Sequence, residues 1–205
     1  MSVEPSSVTV DAEQLRREIQ VKYEEVATRP DGIYHFFTGR KAAEHVGYPA
    51  TALEALPEQV VEAFAGVANP FHWGMPSPGE TVVDVGSGGG LDSIIAARAV
   101  GPDGRVVGID MTDEMLKRSR RAADALSLTD HLDFRPGFAE QLPIPDGWAD
   151  LVISNGVFNL IPDKHAAYQE VARVLKPGGR MQVADICVEK PVPEGAKRDI
   201  DLWTG

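Results

Sequence analysis

The run Val82-Val83-Asp84-Val85-Gly86-Ser87-Gly88-Gly89-Gly90 constrains this chain more than any other stretch. Four residues of buried-strand character enter a glycine turn, and residues 91–100 then read as a helix. Strand, tight turn and helix start together predict a ligand cradle. A backbone without Cβ atoms lets a ligand approach closely, and a helix N-terminus offers free N–H groups.

The residues within the turn narrow the ligand. The dinucleotide pattern G-x-G-x-x-G requires a small residue at position 91, which here is Leu91. The spacing is instead Asp84-x-Gly86-x-Gly88-x-Gly90. A carboxylate at the tip of the first strand repels a pyrophosphate and suits a ligand with positive charge and no phosphate. S-adenosyl-L-methionine meets that description through its α-ammonium and sulfonium groups. A plain tight turn uses the same glycines, so the acid two residues before Gly86 carries the inference. Ser87 lies inside the turn and belongs to the same candidate site.

From Thr81 onward, strands and helices alternate, the pattern of a parallel sheet covered on both faces. Strands are predicted at 82–85, 105–109, 132–135, 150–154 and 180–186. Residues 112–126 and 162–176 read as helices, and Pro177-Gly178-Gly179 as a stop signal. The expected fold is therefore α/β: a doubly wound, mostly parallel sheet over residues 76–205, preceded by an N-terminal helical segment, 1–75. In that segment Asp11 is placed to cap a helix running to Thr28, with Leu15, Ile19 and Val26 on its apolar stripe. Residues 29–32 read as a turn, and residues 41–46 and 57–64 as two short helices joined through Gly47-Tyr48-Pro49. Tyr34-His35-Phe36-Phe37 is an aromatic patch that serves either as a plug between this segment and the sheet or as a lid over the cofactor.

Asp110 stands 24 positions after Gly86, at the end of the second strand, where an acid accepts both hydroxyls of a ribose. Met111 beside it is placed to pack on an adenine. The third strand leads to Gly137-Phe138-Ala139-Glu140, which borders the crevice beyond the carboxyl ends of the strands. Phe138 is placed to stack on the adenine, and the backbone of Ala139 to bond its edge. Asn155, at the tip of the fourth strand, points towards the expected position of the methyl group. No catalytic base is assigned; Tyr34, His35 and His72 are candidates by chemistry alone.

Composition excludes other classes. The 31 acidic residues outnumber the 20 basic ones, giving a net charge of −11, and no basic run offers a face for nucleic acid. No apolar run approaches the length of a membrane span, and residues 1–10 lack a signal-peptide core. Cys187, the single cysteine, rules out an internal disulfide and a cysteine-cluster metal site; the histidines show no metal spacing. A cytoplasmic location is expected.

Several stretches resemble a known family. They are Val82–Gly90, Val-Val-Gly-Ile-Asp-Met-Thr-Asp-Glu-Met-Leu (106–116), Leu-Pro-Ile-Pro-Asp-Gly (142–147), Ile-Ser-Asn-Gly-Val-Phe-Asn-Leu-Ile-Pro-Asp-Lys (153–164) and Arg-Val-Leu-Lys-Pro-Gly-Gly-Arg (173–180). They look like the class I S-adenosylmethionine-dependent methyltransferases, and 153–164 resembles the arsenite methyltransferase-like branch. The likeness covers residues 60–205. It implies that Asp84, Gly86 and Gly88 hold the methionine part, Asp110 the ribose, residues 138–140 the adenine, and Asn155 the sulfonium side. Where that branch holds arsenic with cysteine thiolates, this chain has Val67 and Gly156. A soft metalloid needs soft ligands, so a small organic molecule is the expected methyl acceptor. The alternatives are a catalytically silent cofactor-binding module and, from the same fold, a nicotinamide-dependent oxidoreductase. The family resemblance implies seven strands where five are predicted. The sheet is thus expected to lack its last strand pair, with a helical turn carrying Trp203 near the end, and to self-associate as a homodimer, either through the edge of the fifth strand or through apolar surface that the missing pair would cover.

Overall fold

A computed structural model describes residues 11–29, 32, 34 and 36–190. His35, the Pro30-Asp31 part of the predicted turn and the predicted helical turn with Trp203 lie outside the described residues.

Among the described residues five parallel strands form one sheet: β1 (Thr81–Val85), β2 (Arg105–Asp110), β3 (Leu132–Pro136), β4 (Ala149–Asn155) and β5 (Leu175–Ala184). Their spatial order is β3-β2-β1-β4-β5. The central strand β1 is buried from Val82 to Val85, as a parallel strand covered on both sides must be. On one face lie α5 (Leu91–Val100) and α6 (Asp113–Ala125), with the N-terminal helices α2 (Gly39–His45), α3 (Ala50–Glu54) and α4 (Glu58–Glu62). Their Leu53, Val60, Ile94 and Leu116 share one core with Val82, Val106 and Ile153. The other face is covered by α7 (Lys164–Val174), whose Ala167, Val171 and Val174 pack with Val83, Val107 and Val152. The doubly wound sheet predicted from the alternation is present.

The chain builds β1, β2 and β3 outward in one direction, then returns to lay β4 on the other side of β1. That reversal opens a crevice at the carboxyl ends of β1 and β4. The first helix, α1 (Ala12–Thr28), crosses this end of the sheet. The Asp11 carboxylate accepts from the amides of Glu13 (2.9 Å) and Gln14 (3.3 Å), and Leu15, Ile19 and Val26 are buried as predicted. Tyr34 and Phe36 stack on each other and pack with Tyr23, Val26, Ala63 and Met115. They are the plug, and neither lines the crevice. Phe37 points into solvent.

Three local expectations need correcting. The connection through Tyr48 contains a third short helix, α3, because Pro49 is followed by the good helix formers Ala50, Ala52 and Leu53. Residues 70–73, read as loop, form a single 3-10 turn capped by the Asn69 carboxamide. The fifth strand begins at Leu175 rather than Arg180 and ends at Ala184 rather than Ile186. Leu175 leaves α7 in extended conformation and pairs with Ala149, and the next pair is Leu151 with Arg180. Pro177-Gly178-Gly179 is therefore a bulge inside the strand, not only a helix stop.

Candidate active site

The glycine turn closes over β2. The amides of Gly86 and Ser87 both donate to the Ile109 carbonyl, at 2.8 and 3.0 Å. Gly88 follows at φ +50°, a left-handed value that glycine adopts without a Cβ clash. Its amide then points at Asp110 and donates to Oδ2 at 2.8 Å. The other oxygen of Asp110 accepts from the Thr112 amide at the start of α6, also at 2.8 Å. One carboxylate thus ties the turn to the next helix and keeps further lone pairs for a ligand. Burial raises the Asp110 pKa above the usual aspartate value, and these backbone donors oppose the shift.

Asp84 stands where the predicted strand put it, two residues before Gly86. It is the penultimate residue of β1 and only 2% exposed, so it forms part of the floor of the crevice. The Ser93 hydroxyl of α5 donates to its Oδ2 at 2.6 Å. Burial, with Asp92 nearby, pushes its carboxyl well above the ordinary range. Asp92 is a second buried acid, absent from the predicted site. The Tyr48 hydroxyl donates to its Oδ1 at 2.5 Å, and the Asn155 amide to its Oδ2 at 3.2 Å. Burial lifts its pKa to about 6 against those two hydrogen bonds.

Asn155 is more fully engaged than its predicted role at the methyl position suggests. Its Oδ1 accepts from the amides of Val67 (2.8 Å) and Ala68 (3.2 Å), and its Nδ2 donates to the Ala68 carbonyl at 2.7 Å. The side chain clamps residues 66–68 beside the crevice. A Cβ on Gly66 would collide with this amide.

The opposite wall comes from α1 and the loop after β3. The Arg16 guanidinium bonds Glu140 at 2.8 Å and lies over the Phe138 ring, 5.5 Å from its centroid. Gln20 donates to the Met111 carbonyl at 2.9 Å. Burial raises the Tyr23 hydroxyl to about 12, helped by Asp110 and Asp185, so it stays protonated.

All ten predicted binding residues, Asp84, Gly86, Ser87, Gly88, Asp110, Met111, Phe138, Ala139, Glu140 and Asn155, line this one cleft. It encloses about 1070 Å³ of empty space, part of it open to solvent. Arg16, Tyr23 and Asp92 line it too and were not predicted. Of the candidate bases, Tyr34 donates to the Arg29 carbonyl at 2.6 Å, and neither it nor His72 lines the cleft. Among the described residues no group of acids, histidines and cysteines is arranged to hold a metal ion.

Residues 76–204 match the family model described as "Methyltransferase domain". The chain belongs to the class I S-adenosylmethionine-dependent methyltransferases. Among relatives of this family, it is 38% identical over 168 residues to an arsenite methyltransferase of Halobacterium salinarum, covering 82% of this chain and 42% of that protein. It is 36% identical over 127 residues to the ubiquinone/menaquinone biosynthesis C-methyltransferase of an Enterobacter species, covering 62% of this chain and 49% of that protein. The crystal structure of an arsenic(III) S-adenosylmethionine methyltransferase from Chlamydomonas reinhardtii superposes with a TM-score of 0.64 at 37% identity, over 71% of this chain and 51% of that one. The chain spans about half the length, or less, of the curated relatives it matches.

Proposed function

We propose that this chain binds S-adenosylmethionine across the cleft and transfers its methyl group to a small organic acceptor. The observation that carries the reading is the junction of Gly88 with Asp110, at the carboxyl ends of β1 and β2. It sets an acid for ribose hydroxyls beside a turn whose backbone is open to a ligand. In this reading Asp84, Gly86, Ser87 and Gly88 hold the methionine part. Phe138, Ala139, Glu140 and Met111 enclose the adenine, and Asn155 shapes the sulfonium side by fixing residues 66–68. The N-terminal segment supplies the roof through Arg16, Ile19 and Tyr23 of α1, and the unit from residue 76 on supplies the cofactor site. The cofactor brings an already activated methyl carbon. The protein's part is to hold the acceptor opposite it and to exclude water.

The acceptor end of the cleft supports an organic molecule rather than arsenite. A Cβ at Gly156 would stand 3.3 Å from Val67 Cγ1, so the two positions that carry cysteines in the resembling branch face each other here without a thiol. Val157, Leu160 and Ile161 add an apolar lining, and Cys187 is exposed elsewhere. The reading extends to a cytoplasmic enzyme that pairs through β5, whose Val183 is partly open to solvent. No helix among the described residues is long and apolar enough to cross a membrane.

Calorimetric titration tests the cofactor. S-adenosylmethionine is expected to bind in the micromolar range, on the order of −8 kcal/mol, and NAD not to bind; the reverse result refutes the reading. Methyl transfer from labelled donor to quinol, phenol and amine acceptors, with arsenite plus glutathione in parallel, tests the acceptor. Turnover of arsenite alone refutes an organic substrate. Light scattering tests the pairing, and a monodisperse monomer rejects it.

A further inference from the structure

We propose that Asp92 is a second acid of the cofactor site, that it and Asp84, buried in the same cleft without a cation, keep a proton between them in the ligand-free protein, and that this proton is given up when a positively charged ligand enters. The inference rests on reading the cleft as the S-adenosylmethionine site.

Asp84, Asp92 and Asp110 all line the cleft, and among the described residues none of them forms an ion pair. Asp84 on β1 faces the Ser93 hydroxyl and Asp92 of α5, and Asp110 of β2. Asp92 faces the Tyr48 hydroxyl, before α3, and the Asn155 amide at the end of β4. The remaining charged groups of the cleft, Arg16 and Glu140, neutralise each other, and Tyr23 is a neutral phenol. Two buried carboxylates with no cation between them cannot both ionise cheaply, so one proton stays with the pair. A purely structural acceptor for Tyr48 and Asn155 would not need to be ionisable, and a buried charge without a counter-ion is costly to keep. A second observation points to a ligand at the same place. Ser87 Oγ lines the cleft fully buried with no hydrogen-bond partner, a polar atom left for whatever enters.

The ammonium and sulfonium of the donor would supply the missing positive charge. The carboxylates then ionise and the proton leaves to solvent. Tyr48 is a positioning residue in this scheme, since its hydroxyl favours the ionised form of Asp92.

The test is calorimetry of the full chain with S-adenosylmethionine and with adenosine, in buffers of different protonation enthalpy between pH 5 and 7. Donor binding should release about one proton per site across this range, and its affinity should rise at least on the order of tenfold from pH 5 to 7. Adenosine, which carries the nucleoside and no charge, should bind without proton release and with flat affinity. Asp92→Asn should abolish most of the release and flatten the donor's pH profile. Tyr48→Phe should move the window of proton release to higher pH, a shift that mere loosening of the fold would not produce. Donor binding without proton release, or equal release with adenosine, overturns the inference while leaving the cofactor reading intact. Failure of both ligands to bind overturns the cofactor reading itself.

Discussion

The two ends of the sheet treat their acids in opposite ways. At the amino end, Glu80 meets Arg180 through two hydrogen bonds, 2.7 and 2.8 Å. Asp150 meets Lys176 at 2.8 Å and the amide and hydroxyl of Thr81 at 2.9 and 2.7 Å. Burial would raise the Asp150 pKa, but Lys176 and Thr81 outweigh it and hold the carboxyl down to about 2. Arg180 likewise lowers Glu80. At the carboxyl end Asp84, Asp92 and Asp110 are all raised, with burial the largest cause in each. The same chain can give an acid its cation, and for these three aspartates it does not. A fold selected for stability alone has no use for that asymmetry, and a site that must receive a cationic ligand does.

The comparison can be broken by experiment. The largest effect is expected from Asp110→Ala, which orphans the Gly88 and Thr112 amides as well as any ribose hydroxyl. Donor affinity should fall by roughly 2–3 kcal/mol, read by titration calorimetry. An unchanged dissociation constant would disconnect the carboxyl-end acids from binding.

Next comes the pH dependence of stability without ligand. A carboxyl whose pKa rises on folding holds its proton more tightly when folded. Its contribution is complete below the unfolded value, near 4, and is lost as pH climbs through the folded value, about 6 for Asp92. Stability should therefore decline between pH 4 and 6, with Asp92 contributing on the order of 2 kcal/mol of the fall, and Asp92→Asn should remove that share and leave the share of Asp84. Asp150 works the other way: its contribution is present above pH 4 and fades as pH falls towards 2. Thermal melts across this range separate the two ends, and a rising curve from pH 4 to 6 would contradict the raised acids.

At the amino end, Asp150→Ala should cost about 1–2 kcal/mol of stability by leaving the Thr81 amide unpaired. Donor affinity should stay the same, and a matching loss of affinity would show that the ends are not independent. The smallest effect is expected from Arg16→Ala. Loss of a half-exposed ion pair and a cation–π contact should weaken donor binding by about 0.5–1 kcal/mol.

The sequence shows its local devices clearly and its long-range ones hardly at all. The glycine turn, Asp110 and the Phe138 loop each sit at a fixed distance from a strand end, so their convergence follows from alternation alone. Asp84 was legible as a site residue inside the first strand, but the hydroxyl of Ser93 that donates to it was not. Asp92 lies in the first turn of α5, where an acid is ordinary. Nothing near it announces that Tyr48, 44 positions earlier, will donate to it. Arg16 finds Glu140 across 124 positions for the same reason. The early start of β5 was hidden because Lys176-Pro177-Gly178-Gly179 reads as a stop, and only pairing with Ala149 shows that the strand has already begun.

Asn155 has a consequence for the order in which this molecule can be made. The segment it clamps, at Val67 and Ala68, leaves the ribosome 88 residues before the amide that holds it. At ordinary elongation rates that gap lasts roughly 4–18 seconds. During that interval β1, the glycine turn and β2 can already pair, while the wall beside them waits for β4. A nascent chain stalled before residue 155 should thus offer the cofactor an open trough, and only further synthesis can turn it into a closed cleft.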